Sequence, residues 1–209
     1  MFYRPEDDHG LPRDPFNYLV VPRPIGWIST RSAEGVDNLA PYSFFNAVAY
    51  GPPQVMFAAT TGHRTGGLKD SVANAQDTGE FVVNLATWDL REQMNSSSVA
   101  APRDVDEFDI AGLTKAPSQI VTPSRVAESP VHLECRTTQI LKLPCDEEED
   151  DNTVVFGQVV GIHIDERVLS EGHVDVAKLR PIGRLGALDY VDVKQAFAIE
   201  RPVWPYKEE

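Results

Sequence analysis

Apolar and polar residues alternate along long stretches of this chain. Val131, Leu133, Cys135, Thr137, Leu141 and Leu143 occupy alternate positions, and Val154, Phe156, Val160, Ile162 and Ile164 do the same in the next segment. This period of two predicts a pair of half-buried strands. Earlier, residues 26–30 and 38–43 flank a turn-like stretch, 31–37, that contains Gly35 and reads as a hairpin. Residues 54–60 form a third strand, introduced by Pro52-Pro53, and 81–85 read as a buried strand. Helical spacing is rarer. Leu68, Val72 and Ala75 place a short helix over 66–77, stopped by Gly79, and 88–97 form a second, with Thr87 available as its N-cap. Residues 101–129 are the least regular and read as a long excursion from the sheet. The elements add up to a mainly β chain with short flanking helices.

The 209 residues, 42% of them hydrophobic, suit one globular domain over 1–209, with a core at about 18–190 and a tail at 191–209 that holds Arg201, two prolines and Trp204. No run approaches the roughly 20 apolar residues that cross a bilayer, and residues 1–10 are polar where a signal peptide is basic and then apolar. The expectation is a cytoplasmic protein without a membrane partner. Lys and Arg number 19 against 32 Asp and Glu, a net charge of −13, which argues against nucleic acid as a partner. That charge is unevenly spread. Six consecutive carboxylates, 146–151, read as a hydrated hairpin tip, whereas 23–75 carries Arg23, Arg31, Arg64 and Lys69 against Glu34, Asp37 and Asp70. The acidity therefore leaves room for a phosphate ligand in the first third of the chain. Cys135 and Cys145 read as reduced thiols, Cys135 inert on the apolar face of its strand.

The segment 62–71 superficially resembles a P-loop but fails on spacing, because Leu68 separates Gly67 from Lys69 and Asp70 follows the lysine directly. What remains is a glycine-rich turn after a strand, opening a helix and carrying Arg64 and Lys69, which would offer N–H groups and cations to a phosphate. Nucleophilic hydrolysis has no Gly-x-Ser-x-Gly elbow to rest on. His132 and Cys135 point to opposite faces of a strand, and the acidic run lacks the turn glycine of a calcium loop, so no metal site is assigned. Residues 183–186 lack the full dinucleotide fingerprint.

The order Arg23-Pro24-Ile25-Gly26-Trp27-Ile28-Ser29-Thr30, then Asn38-Leu39-Ala40-Pro41-Tyr42-Ser43-Phe44-Phe45-Asn46, then Pro52-Pro53, resembles the flavin reductase-like family of FMN-binding split-barrel proteins. The similarity continues through Lys69-Asp70-Ser71, Asn74 and Phe81-Val82-Val83-Asn84-Leu85. It returns at Gly157, Gly161, Arg184-Leu185-Gly186 and Tyr190. The resemblance implies a six-stranded Greek-key split β-barrel, a homodimer, and FMN as cofactor with NADH or NADPH as reductant. It implies flavin contacts at Ser29, Thr30, Ala40, Ser43, Asn46, Thr60, Lys69 and Ser71, with Lys69 and Ser71 toward the phosphate. No catalytic acid, base or nucleophile is implied, since the cofactor carries the hydride. A partner oxygenase or another electron acceptor would follow. The alternative within the family is a flavoredoxin-like carrier of bound FMN with little NAD(P)H activity. Trp27, inside an apolar strand, reads as core rather than as a flavin-stacking ring.

Overall fold

The computed structural model describes residues 1–146 and 151–204. Their strands are β1 (Arg23–Pro24), β2 (Gly26–Arg31), β3 (Asp37–Tyr42), β4 (Phe45–Tyr50), β5 (Pro53–Ala59), β6 (Glu80–Leu85), β7 (Lys115–Ala116), β8 (Arg125–Val126), β9 (Val131–Leu143), β10 (Asn152–Ile164), β11 (Leu169–Ser170), β12 (His173–Val174), β13 (Ile182–Gly186) and β14 (Asp189–Asp192). The helices are short: α1 (Phe16–Leu19), α2 (Asp70–Thr78), α3 (Arg91–Ser96), α4 (Glu107–Ala111) and α5 (Val176–Leu179).

The main sheet runs β3-β2-β6-β9-β10-β5-β4, with every neighbouring pair antiparallel. Its two edge strands are consecutive in the chain, joined only by Ser43 and Phe44. Laid flat, seven strands would hold those edges about 29 Å apart, while three Cα steps reach about 11 Å. The sheet therefore curls until its edges meet, which is the expected split barrel. At the meeting point the Ala58 N–H donates to the Phe44 carbonyl at 2.8 Å, and the rings of Tyr42 and Phe57 lie 5.0 Å apart. The barrel interior is filled by Ile28, Phe57, Phe81, Val83 and Val155, with Val72 and Ala75 of α2 packed against them. A second layer on the other face of β2 holds Trp27, Leu39, Met94, Phe108 and Val126, and there the Trp27 indole donates to Ser97 Oγ at 2.9 Å. Trp27 is thus a core residue.

The long strand pair, the first hairpin, and the strands at 53–59 and 80–85 form where the hydrophobic pattern places them. In the long pair the alternating face is only partly the core face: Leu141, Leu143, Ile162 and Ile164 are exposed, while Val155 and Val159 of the opposite set are buried in the barrel. Four further details differ. β4, six residues that are almost wholly exposed, was hidden because an edge strand has no buried face to impose alternation. The first helix starts at Asp70 rather than residue 66, since Gly66 and Gly67 both have positive φ (93° and 76°) and Lys69 is extended; its stop at Gly79, φ 72°, is as expected. The second helix begins at Arg91, and Thr87 is not its cap, because Trp88 N–H donates to the Arg180 carbonyl and ties the preceding turn to the neighbouring layer. The excursion at 101–129 carries α4, β7 and β8, anchored by the buried Phe108 and Val126. The acidic tip falls largely on 147–150, outside the described residues. Cys135 is fully buried, and burial pushes its thiol pKa up, as an inert thiol requires.

Gly26 makes the closure tight. A Cβ there would stand 2.5 Å from Phe45 Cδ2 and 3.1 Å from Phe45 Cβ, so the first strand of the hairpin and the edge strand β4 touch backbone to side chain. Gly26→Ala is expected to cost roughly 1–3 kcal/mol through overpacking, read as a lower urea midpoint at unchanged slope. An unchanged midpoint would show that the seam is loose.

Candidate functional site

The site grows from the turn before α2. Positive φ at Gly66 and Gly67 folds the chain back so that His63 N–H donates to the Gly67 carbonyl at 2.7 Å and Gly66 N–H to the His63 carbonyl at 2.8 Å. Arg103 pins the turn from outside, donating to the carbonyls of Gly66 (3.1 Å) and Leu68 (3.0 Å) and pairing with the Asp70 carboxylate. Lys69 then sits at the N-cap of α2, which has no side-chain cap of its own. The Lys69 ammonium has no hydrogen-bond or ion-pair partner among the described residues, although the residue is half-buried.

Opposite this turn lies β3. Its alternation puts Asn38, Ala40 and Tyr42 on one face, and these residues, with Arg64, Lys69 and Glu107, line a cavity of about 150 Å³. Arg64 is held across it by donating to the Ala100 carbonyl at 2.9 Å. A second cavity, about 470 Å³, adjoins the first through Pro41 and Ser98 and is lined further by Ser43, Met94, Arg184 and Tyr190. Together they form a groove of the size that holds small-molecule ligands.

Glu107 is the least obvious member. β3 is an edge strand, so its outward Leu39 N–H lacks a strand partner, and Glu107 at the start of α4 supplies one. Oε2 accepts from Leu39 N–H at 3.0 Å and from Asn38 Nδ2 at 3.1 Å. Burial pushes the Glu107 pKa up to about 7 against these hydrogen bonds, and the nearby Asp70 and Asp106 push the same way.

Of the eight residues expected to touch flavin, the structure brings Ala40 and Lys69 to the first cavity and Ser43 to the second. The other five lie elsewhere. β2 runs between β3 and β6 with both faces covered, so Ser29 and Thr30 are fully buried. Ser29 Oγ donates to the Ser124 carbonyl at 2.6 Å and accepts from Asn84, while Thr30 Oγ1 accepts from Asn74 of α2 at 3.0 Å. Ser71 Oγ is buried and donates to Asn38 Oδ1 at 3.0 Å, bracing α2 against β3 rather than facing the groove. Asn46 is exposed on β4 and accepts from Ala47 N–H, and Thr60 is exposed just past β5. Asn38, Tyr42, the 97–101 segment and Glu107 line the groove without having been expected there. Asn38 and Tyr42 were within reach of the sequence, because they stand two residues either side of Ala40 on the same strand; Glu107 and the 97–101 segment had no short-range signal and arrive by tertiary packing.

A family model described as "Flavin reductase like domain" matches residues 18–181. The chain belongs to the flavin reductase-like family. A protein of Aquifex aeolicus is 41% identical over 174 residues, 83% of this chain and 85% of that protein. Among solved structures, nitrilotriacetate monooxygenase component B from Bacillus cereus superposes with a TM-score of 0.87 at 28% identity, covering 95% of this chain and 98% of that one. The 2-nitrobenzoate 2-nitroreductase of Pseudomonas fluorescens follows the same fold with a TM-score of 0.77 at 26% identity, covering 92% and 91%. The family supports a flavin-related oxidoreductase function for this chain.

In this flavin reductase-like protein the groove acid also sets a pH dependence. Folding raises the Glu107 pKa from its ordinary 4.5 to about 7, so the folded state holds the proton more tightly. The resulting stabilisation is complete below about pH 4.5 and is lost as pH rises through 7, about 3 kcal/mol in all. Glu107→Gln keeps an acceptor for Leu39 and is expected to flatten the decline in urea midpoint between pH 5 and 8. Parallel pH profiles for the two proteins would contradict this.

Proposed function

We propose that the groove binds FMN with its phosphate at Lys69 and Arg64, and that the protein is an NAD(P)H:FMN oxidoreductase. The observation that supports this most directly is the Lys69 ammonium, without a partner among the described residues, half-buried at the N-terminus of α2 beside a second cation in a groove that reaches ligand size when its two cavities are taken together. The donor set suits the group. Cations and first-turn N–H groups of a helix match a dianionic phosphate, and the Ala40–Pro41 stretch and Ser43 offer an apolar floor with a hydroxyl donor to a planar ring with polar edges.

FMN, when bound, supplies hydride acceptance from the reduced nicotinamide. The chain's contribution is binding and orientation. Lys69 and Arg64 fix one end of the ligand, the glycine turn holds Lys69 in place through Arg103, and the 97–101 segment covers the cavity from the far side. No side chain is assigned a proton-transfer role. Reduced flavin would pass to a partner oxygenase or another electron acceptor, in keeping with the oxygenase-component relative. A second copy of the chain is inferred as a further partner, seated on the exposed strand β4, where Tyr50 is 97% and Val48 47% exposed. Light scattering should then give twice the 23.1 kDa chain mass, and a monomer at micromolar concentration would remove the homodimer.

Titration with FMN tests the central reading. Flavin fluorescence is expected to be quenched on binding, and a protein that leaves it unchanged does not hold FMN. Lys69→Ala should weaken FMN by roughly 10–100-fold, the worth of a charge-assisted contact, and leave riboflavin nearly untouched; equal losses would take Lys69 away from the phosphate. With FMN in excess, steady consumption of NADH or NADPH supports the reductase, and none supports the flavoredoxin-like carrier.

A further inference from the structure

The second cavity has a charge that the first does not explain. Arg184 of β13 lines it, and no carboxylate does among the described residues. Directly across the strand pair, Arg23 of β1 is in register with Arg184. Among the described residues neither arginine has a carboxylate oxygen within 4.0 Å. Arg23 is 8% exposed. Its Nη1 donates to the carbonyls of Asn17 (2.7 Å) and Val20 (2.9 Å), its guanidinium lies 5.5 Å from the Phe44 ring centre, and its buried Nε has no acceptor. Burial and the neighbouring Arg184 charge both push the Arg23 pKa down. Arg184 is positioned by neutral groups only. It stacks 4.5 Å over the Tyr190 ring, hydrogen-bonds the Tyr190 hydroxyl, and donates to the carbonyls of Gly186 (3.2 Å) and Ala187.

A pair of mutually repelling guanidiniums is costly to keep in a partly buried place, and in a chain of net charge −13 a neutralising carboxylate is easy to supply. At the other end of the groove Asp70 and Glu107 share the lining with Arg64 and Lys69, whereas no carboxylate among the described residues lines the second cavity. We propose that Arg184, backed by Arg23, is a second anion-recognition site in the groove, and that it receives the pyrophosphate of the nicotinamide dinucleotide. This rests on the reading that Lys69 and Arg64 take the single phosphate of FMN. With that end filled, the remaining cation serves the other reactant. The two cavities adjoin at Pro41 and Ser98, so a dinucleotide anchored at Arg184 has its nicotinamide within reach of a ring lying between them.

The test is calorimetric titration of NAD⁺, which binds without reacting, into the FMN-loaded protein. Arg184→Gln is expected to weaken NAD⁺ at least tenfold while nicotinamide riboside, which has no phosphate, and FMN change less than threefold. Arg184→Lys, which keeps the charge, should recover part of the loss. Equal weakening of NAD⁺ and nicotinamide riboside would overturn the proposal in favour of a structural role, and a larger loss for FMN would place Arg184 in the flavin site. Benzoate is titrated in parallel: if the wild-type protein binds it and Arg184→Gln removes that binding while leaving NAD⁺ unaffected, the dinucleotide is overturned in favour of a carboxylate-bearing substrate. If the protein takes up no FMN, the functional reading fails by itself, and the same titration of flavin-free protein still decides whether Arg184 binds pyrophosphate. Circular dichroism of each variant separates lost binding from lost folding.

Discussion

Two residues, Ser43 and Phe44, connect opposite edges of a seven-stranded sheet, and most of the molecule follows from that short link. The sheet must curl, so β2 is carried inward and covered on both faces, by the barrel core on one side and the Trp27 layer on the other. β3 is left as an edge at the seam, with main-chain N–H groups facing outward. Those groups attract what covers them: α4 sends Glu107 to Leu39, and α2 braces against Asn38 through Ser71. The groove is the gap that these two helices leave over β3. Gly26 is the steric condition of the arrangement, since only a missing Cβ lets Phe45 lie across the seam.

The parts of the fold most legible in the sequence are the long alternating runs. β9 and β10 run thirteen residues each and are recognisable as strands despite two bulges, between Phe156 and Gly157 and between Val159 and Gly161. Alternation did not tell which face is buried, since Leu141, Leu143, Ile162 and Ile164 are exposed while Val155 and Val159 fill the core. β4 has no such pattern because the edge of the barrel presents it to solvent. The start of α2 was misplaced for a different reason. Leu68 continues the helical spacing of Val72 and Ala75, yet it packs on the core from a turn, and the two glycines ahead of it take left-handed backbone that a helix cannot use.

The site was legible in part, and the division is physical. Lys69, Ala40 and Ser43 lie on backbone that borders the groove, so family resemblance and local chemistry agree there. Ser29, Thr30 and Ser71 share the polar, small-residue look of ligand contacts, but all three are buried away from the groove, with Ser29 and Ser71 donating to the Ser124 carbonyl and Asn38 Oδ1 and Thr30 Oγ1 accepting from Asn74. A hydroxyl at a strand end is available to a ligand only if the strand is at an edge, and sequence alone does not say which strands are. Glu107 and the 97–101 segment come from chain 60 residues or so beyond β3 and are placed by long-range packing that no local motif encodes.

Net charge proves a poor guide to this groove because the carboxylates around it are already engaged. Asp37 is shared by Arg31 and Lys115, at 2.8 and 2.9 Å, with its side chain 1% exposed. Asp70 is held by Arg103, and burial keeps a proton on Glu107 up to about pH 7. Each of these acids is counted in the total of −13, yet each has its field cancelled by a neighbour or by protonation. Lys69 and Arg184 have no such neighbour within ion-pair distance among the described residues, so they set the local potential. An acidic protein thus keeps a cationic groove by pairing its acids internally and leaving selected cations unpaired, and the position of those cations, rather than the sum of charges, decides what the groove can bind.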